Sequence, residues 1–229
     1  MNKLSVSVSR TEMILGLCYI PLQLLVIPVI VVIGNLVLGN PFSDVQVNFV
    51  LFCIDFICVT VIFHKFLLRS LKLSFTMPWR IFRFAGLGFL LYWAGNFVIN
   101  FIIIALNPDF TNVNNDSIAE LTQQNYSLMA VSTVLLVPIT EETIYRGVVF
   151  GKIYERNPIA GYIVSVAIFS ALHVVGYIGS FPATHLLMCF LQYIPAGIAL
   201  AWAYTKADSI WAPILMHIAI NQVSILAMR

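Results

Sequence analysis

The stretch VLLVPITEETIYRGVVFGKIYER, residues 134–156, begins as an apolar run that could start a membrane helix and then places two carboxylates side by side. Glu141 and Glu142 are adjacent, and Arg146 follows the second of them by four residues. Ionisable groups are costly inside a bilayer, and those that occur there usually face the protein interior and mark a functional site. The stretch therefore predicts a membrane helix with a chemical role.

The composition of the whole chain indicates a membrane protein. Of its 229 residues, 60% are hydrophobic and only 10% are charged, whereas a soluble domain has roughly a quarter charged residues. The apolar runs are long and do not alternate with polar residues, which favours helices over a barrel. We expect an all-α, polytopic transmembrane helix bundle in a single membrane domain, residues 1–229. It has seven spans, or eight if one long segment breaks, and the seven are near 13–38, 47–68, 83–106, 127–150, 158–175, 182–204 and 209–227.

The positions of the cations predict the topology. Lys3 and Arg10 precede the first span, and further Lys and Arg residues follow the second and fourth spans. The loops near 39–46, 107–126 and 176–181 contain neither residue type. The positive-inside rule therefore places the N-terminus in the cytoplasm and predicts a polar, solvated external loop at 107–126. We expect the surface of the protein to contact the lipid bilayer, and we expect the protein to bind no nucleic acid.

The acidic doublet divides into two environments if the segment is helical. Glu142 and Arg146 share a helix face and can pair, whereas Glu141 is rotated by about 100° and faces another neighbour. Adjacent carboxylates disfavour double ionisation, which makes one of them a better general base. Pro138 removes a backbone hydrogen bond just before the doublet and can loosen the helix there.

Two later spans carry histidines at the same spacing. In FSALH, residues 169–173, Phe169 and His173 lie on one helix face, and in HIAIN, residues 217–221, His217 and Asn221 do so. A membrane histidine can simply bond a neighbouring helix, so His173 alone is ambiguous. Asn221 can orient the His217 ring, or both can donate to a developing negative charge. Glu142 is expected about 12 Å from the cytoplasmic end of its span. The three spans therefore predict one polar chamber near mid-membrane, nearer the cytoplasmic face.

The ordered set EETIYR (141–146), FSALH and HIAIN resembles the EExxxR, FxxxH and HxxxN motifs of the CAAX-processing and bacteriocin-processing (Abi) family of intramembrane endopeptidases. The resemblance covers residues 127–221, under half of the chain. It implies a protease of a bacterial cell membrane that hydrolyses a peptide bond in a peptide or lipidated-protein substrate. In the implied site, Glu141 is the general base, His173 helps to hold the water, Glu142 and Arg146 form a supporting pair, and His217 and Asn221 stabilise the oxyanion.

Several alternatives stay open at the level of the sequence. Glu142, His173 and His217 could hold a divalent metal such as zinc, although the chain has no HExxH motif and we expect no required cofactor. The chain could instead be a bacteriocin self-immunity protein that acts by binding, or a membrane transporter that uses the charged groups of the fourth span. Asp55 lies outside the motifs, and we expect a structural role for it.

Overall fold

The computed structural model describes residues 4–229, and within this part of the chain the fold consists of helices that run through a single bundle. A short 3₁₀ turn, Val175–Tyr177, follows the sixth helix. The helices, in chain order, are α1 (Arg10–Val37), α2 (Asp44–Thr76), α3 (Pro78–Leu106), α4 (Val113–Gln124), α5 (Tyr126–Arg156), α6 (Pro158–Leu172), α7 (Ala183–Ala207) and α8 (Trp211–Ala227).

Seven of these helices are apolar, which confirms the predicted polytopic helix bundle. By length and composition, α1, α2, α3, α5 and α7 can each cross a bilayer, while α6 and α8 are shorter apolar helices of 15 and 17 residues. At 1.5 Å per residue these two reach roughly 23–26 Å, somewhat less than the hydrocarbon core. The polar helix α4 lies in the predicted external loop, so that loop is more regular than the sequence indicated.

The apolar helices divide into a buried centre and a lipid-facing periphery. In the most apolar window of α5 and of α7, 44% of the residues are buried, against 11% in α1 and α2 and 6% in α3. Lipid tails are as apolar as the side chains of the first three helices, so those helices can leave large apolar residues exposed. Of the five long helices, α5, which carries the acidic doublet, and α7 are therefore the ones enclosed by protein.

Close helix packing at the centre depends on small residues. Helix α7 presents a buried row of alanines and a glycine to its neighbours. A side chain at Gly88 of α3 would meet Met216 Sδ at 2.7 Å and Ala203 Cβ at 3.2 Å. Small residues let the helix backbones approach, which is the usual basis of helix association in lipid.

Gly161 gives a direct test of this packing. A Cβ atom at Gly161 would lie 2.9 Å from the Cα atom of Tyr154, so the backbones of α5 and α6 would have to separate. We expect Gly161→Ala to lower the midpoint of thermal unfolding of the purified protein in detergent. Gly86→Ala is the matched control, because nothing lies within 4 Å of a Cβ atom there, and alanine favours a helix by about 1 kcal/mol over glycine. Equal midpoints for the two variants would contradict the role of this contact.

The two ends of the bundle differ in charge. At the basic face, Arg69 pairs with Glu12 at 3.3 Å, and Arg80 Nε donates to the backbone carbonyl of Lys206 at 2.9 Å. Arg10, Lys152 and Arg156 line a groove at the same face. The α4 face, formed by α4 and the loops next to it, carries the exposed carboxylates of Asp109, Asp116 and Glu120.

Candidate active site

The acidic doublet lies at the middle of α5, where the helix widens. The stretches Val131–Leu136 and Glu142–Phe150 are π-helical, and Pro138 lies in the short α-helical piece between them. Proline cannot donate a backbone hydrogen bond, and π-helical turns are frequent at functional sites. The predicted loosening of the helix is present on both sides of the proline. Glu141 is the central residue of α5, so the doublet lies midway along the helix.

Glu142 is buried and carries two partners on one oxygen. Arg146 Nη1 donates to Glu142 Oε1 at 3.1 Å, and His217 Nδ1 contacts the same oxygen at 2.9 Å. The side chains of Glu142 and Arg146 are 0% exposed. The expected ion pair is therefore present, and the bond to His217 is an addition that the spacing of the motifs did not indicate.

Arg146 also contacts the second motif. Its guanidinium carbon lies 4.2 Å from the centre of the Phe169 ring, in cation–π geometry. Desolvated cation–π contacts contribute about 2 kcal/mol or more. The phenylalanine of FSALH thus supports the buried cation, and Phe169 is a site residue whose contact with Arg146 was not foreseen.

His173 directly follows the last residue of α6, and two contacts fix its ring. Its Nδ1 lies 2.8 Å from the carbonyl oxygen of Phe169, and its ring stacks on Tyr193 with centroids 4.0 Å apart. A carbonyl only accepts, so Nδ1 is the donor and Nε2 of the neutral ring keeps its lone pair. Tyr193 was missed from the sequence because it lies in an apolar helix without a motif.

His217 and Asn221 approach the doublet from α8. A carboxylate only accepts, so His217 Nδ1 donates to Glu142, and Nε2 takes no part in this bond. Asn221 Nδ2 donates to the backbone carbonyl of Thr133 at 2.8 Å, not to His217. The second amide hydrogen of Asn221 is left for another acceptor. The prediction that Asn221 orients the His217 ring is therefore wrong. The other prediction, that both side chains donate to a developing negative charge, stays a prediction.

One cavity of about 380 Å³ brings the remaining groups together. Glu141, His173, His217 and Asn221 all line it. Glu141 Oε2 is buried and has no hydrogen-bond partner among residues 4–229. The two glutamates thus occupy different environments. Glu142 is paired with Arg146 in the protein interior, and Glu141 lines the cavity.

The proposed metal ligands do not form a metal-ligand set. Within the part of the chain that the structure describes, no three His, Cys, Asp or Glu side chains are placed to hold one ion. Glu142 Oε1 already accepts from Arg146 and His217. Glu142 Oε2 is unpartnered among the described residues, yet Glu142, His173 and His217 do not converge on one point as the ligands of a zinc ion would.

Asp55 of α2 lies on the other side of the doublet. The Tyr19 hydroxyl donates to Asp55 Oδ1 at 2.6 Å, which joins α1 to α2. This contact agrees with the expected structural role.

Comparisons with known proteins point to the same segment. Residues 123–223 match the family model described as "Type II CAAX prenyl endopeptidase Rce1-like". The chain is similar to "Putative membrane peptidase YdiL" of Bacillus subtilis (strain 168), with 33% identity over 110 residues. The aligned segment covers 47% of this chain and 40% of that relative, so it is less than half of either protein. No solved structure gives a significant match. All three motifs of the candidate site lie within residues 123–223, so the similarity of this integral membrane protein to the Rce1-like CAAX prenyl endopeptidase family covers the whole candidate site.

Proposed function

We propose that the protein is an intramembrane endopeptidase in which Glu141 activates a water molecule for attack on a peptide bond. The observation that carries this proposal is the contrast within the doublet. Glu142 Oε1 accepts from a cation and a histidine, although its Oε2 is unpartnered. Glu141 makes no ion pair, its buried Oε2 has no hydrogen-bond partner in residues 4–229, and it lines a cavity with His173. An available carboxylate beside an imidazole suits direct hydrolysis, since no Ser or Cys nucleophile is needed.

In the proposed reaction, water is held between Glu141 and His173 Nε2. Glu141 takes one proton as the water oxygen bonds to the carbonyl carbon, and the carbonyl π electrons move to its oxygen. The tetrahedral intermediate then re-forms its carbonyl and expels the amine. Glu141 returns the proton to the leaving nitrogen, so the products are a carboxylic acid and an amine.

His217 and Asn221 are proposed to stabilise the oxyanion. Asn221 has one amide hydrogen beyond its bond to Thr133. His217 Nδ1–H is engaged by Glu142, so a hydrogen bond from His217 to the oxyanion has to come from Nε2. Preorganised donors of this kind typically contribute 10²–10³-fold each to the rate.

The proposal predicts that His173→Ala eliminates cleavage. The newly formed N-termini of membrane proteins can be compared by mass spectrometry between cells that produce the wild-type protein and cells that produce the variant. We expect termini that are present with the wild type and absent with His173→Ala, because the variant lacks the side chain that is proposed to position the attacking water. His64→Ala is the control, since His64 is exposed and bonds only its own helix at Val61.

An unchanged set of termini with His173→Ala would contradict the proposal. Protection of cells against a bacteriocin that persists in His173→Ala, without any cleavage, would instead favour an immunity protein that acts by binding.

A further inference from the structure

The candidate cavity extends well beyond the four motif residues, toward the α4 face. Its wall includes Asn112 and Ser117 at the start of α4, Tyr177 after α6, and Ser224 and Met228 at the end of α8. The cations that line the groove at the opposite end, such as Lys152 and Arg156, are not part of it. The chamber therefore runs from mid-depth to one face of the bundle, and this is the face without basic loops.

The wall of this extension is rich in amides. Neither Lys nor Arg is among the described residues that line the cavity, and Glu141 is its carboxylate. A neutral amide offers both donors and acceptors, as a peptide group does. The amide side chains in the wall are Asn48, Asn96, Asn100, Asn112, Asn114, Asn115, Gln192 and Asn221.

Part of this lining is a fixed network that joins α4 to the candidate site. Asn112 Nδ2 donates to Gln192 Oε1 at 2.6 Å, and Asn114 Nδ2 donates to the Tyr193 hydroxyl at 3.0 Å. The same Tyr193 ring stacks on His173. These contacts fix the position of the amides at the start of α4 relative to His173, the histidine that is proposed to hold the water.

Another part of the lining has unused hydrogen-bonding capacity. Asn48 Oδ1 is buried, and no residue from 4 to 229 gives it a hydrogen bond. Buried polar atoms without partners are rare, and each one needs an explanation. An extended polypeptide in the cavity would supply backbone N–H groups to such an acceptor.

We propose that this cavity takes an internal, uncharged stretch of an extended polypeptide from the extracytoplasmic side of the membrane. The inference rests on the endopeptidase function proposed above. The side follows from the positive-inside rule, since the cavity opens away from the basic loops. The internal position follows from the charges, because a free C-terminal carboxylate would meet Glu141 and no Lys or Arg among the described lining residues.

Sidedness can be tested without a known substrate. The four free cysteines are replaced by alanine, and single cysteines are introduced as Gln123→Cys at the exposed end of α4 and Thr76→Cys at the exposed end of α2. In intact cells, a membrane-impermeant maleimide is expected to label the first variant and to label the second only after permeabilisation. The reverse pattern would overturn the inference and leave the endopeptidase function intact.

The substrate class is tested with a random ten-residue peptide library in two forms, with free and with amidated C-termini. The purified protein is expected to cleave both forms at bonds away from the C-terminus, at rates within about twofold of one another. Cleavage that requires a free carboxylate at a fixed distance from the bond would overturn this inference alone. Cleavage of neither form by the wild-type protein would overturn the endopeptidase function and this inference with it.

Asn48→Leu separates a binding role from a structural one. The replacement has a similar shape and removes the unpartnered amide. For a peptide from the library that the wild type cleaves, we expect KM to rise about fivefold with kcat nearly unchanged, as for the loss of one hydrogen bond in both ground and transition states. Thermal stability should not fall. An unchanged KM would remove Asn48 from the proposed peptide subsite and contradict it.

Discussion

Glu141→Gln is expected to lower the rate of peptide cleavage by about 10³-fold or more, since a positioned general base contributes 10²–10⁴-fold. Glutamine keeps the size of the side chain but cannot accept the proton of the attacking water. The folded protein should be little affected, because Glu141 makes no ion pair and its Oε2 has no partner in the described chain. The measurement is the cleavage rate of a library peptide by purified protein, with the midpoint of thermal unfolding determined on the same samples.

Glu155→Gln is the matched control for this experiment. Glu155 belongs to the same helix and pairs with Lys152 at 3.7 Å, at the basic face and away from the cavity. Its replacement should leave the cleavage rate within about twofold of the wild-type value, as expected for a partly exposed ion pair. Full activity of Glu141→Gln would exclude Glu141 as the base. Loss of activity together with loss of the folded protein would show that its role is structural.

Arg146→Ala is expected to destabilise the fold strongly. The substitution leaves Glu142 in a fully buried position with His217 as its remaining partner, and it removes the cation above Phe169. Breaking one side of a buried ion pair typically costs about 3–5 kcal/mol. We therefore expect a much lower midpoint of thermal unfolding in detergent and a lower yield of folded protein.

Two further variants assign the cause of this loss. Arg156→Ala removes an exposed arginine from the end of the same helix and should change the midpoint little. Adding Glu142→Gln to Arg146→Ala removes the carboxylate that has lost its arginine, so the double variant should be more stable than the sum of the single losses predicts. A midpoint for Arg146→Ala that equals that of Arg156→Ala would contradict the importance of the buried pair.

Local spacing was enough to predict the pair at the start of the site. Glu142 and Arg146 are four residues apart, and the pair forms even though the helix is π-helical there. The apolar runs likewise predicted the seven apolar helices, because backbone hydrogen bonding in lipid leaves few alternatives to a helix. Both inferences depend on interactions within a short segment of chain.

Contacts between helices could not be predicted in the same way. The shared oxygen of Glu142, the stacking of Tyr193 on His173 and the bond from Asn221 to Thr133 join residues that are 20 to 88 positions apart. Motif spacing on one helix does not give the rotation of its neighbour.

The oxygen that Glu142 shares between Arg146 and His217 has a consequence for any attempt to rebuild this site elsewhere. Through Phe169 below the guanidinium, a continuous series of contacts passes from α6 through α5 to α8. A transplant that carries EETIYR alone into another helical scaffold would bury the ion pair without the His217 bond to Glu142 and without the Phe169 ring against Arg146. The four side chains have to be moved together with the relative placement of their three helices, so the smallest portable form of the site is a helix trio and not a set of short sequence motifs.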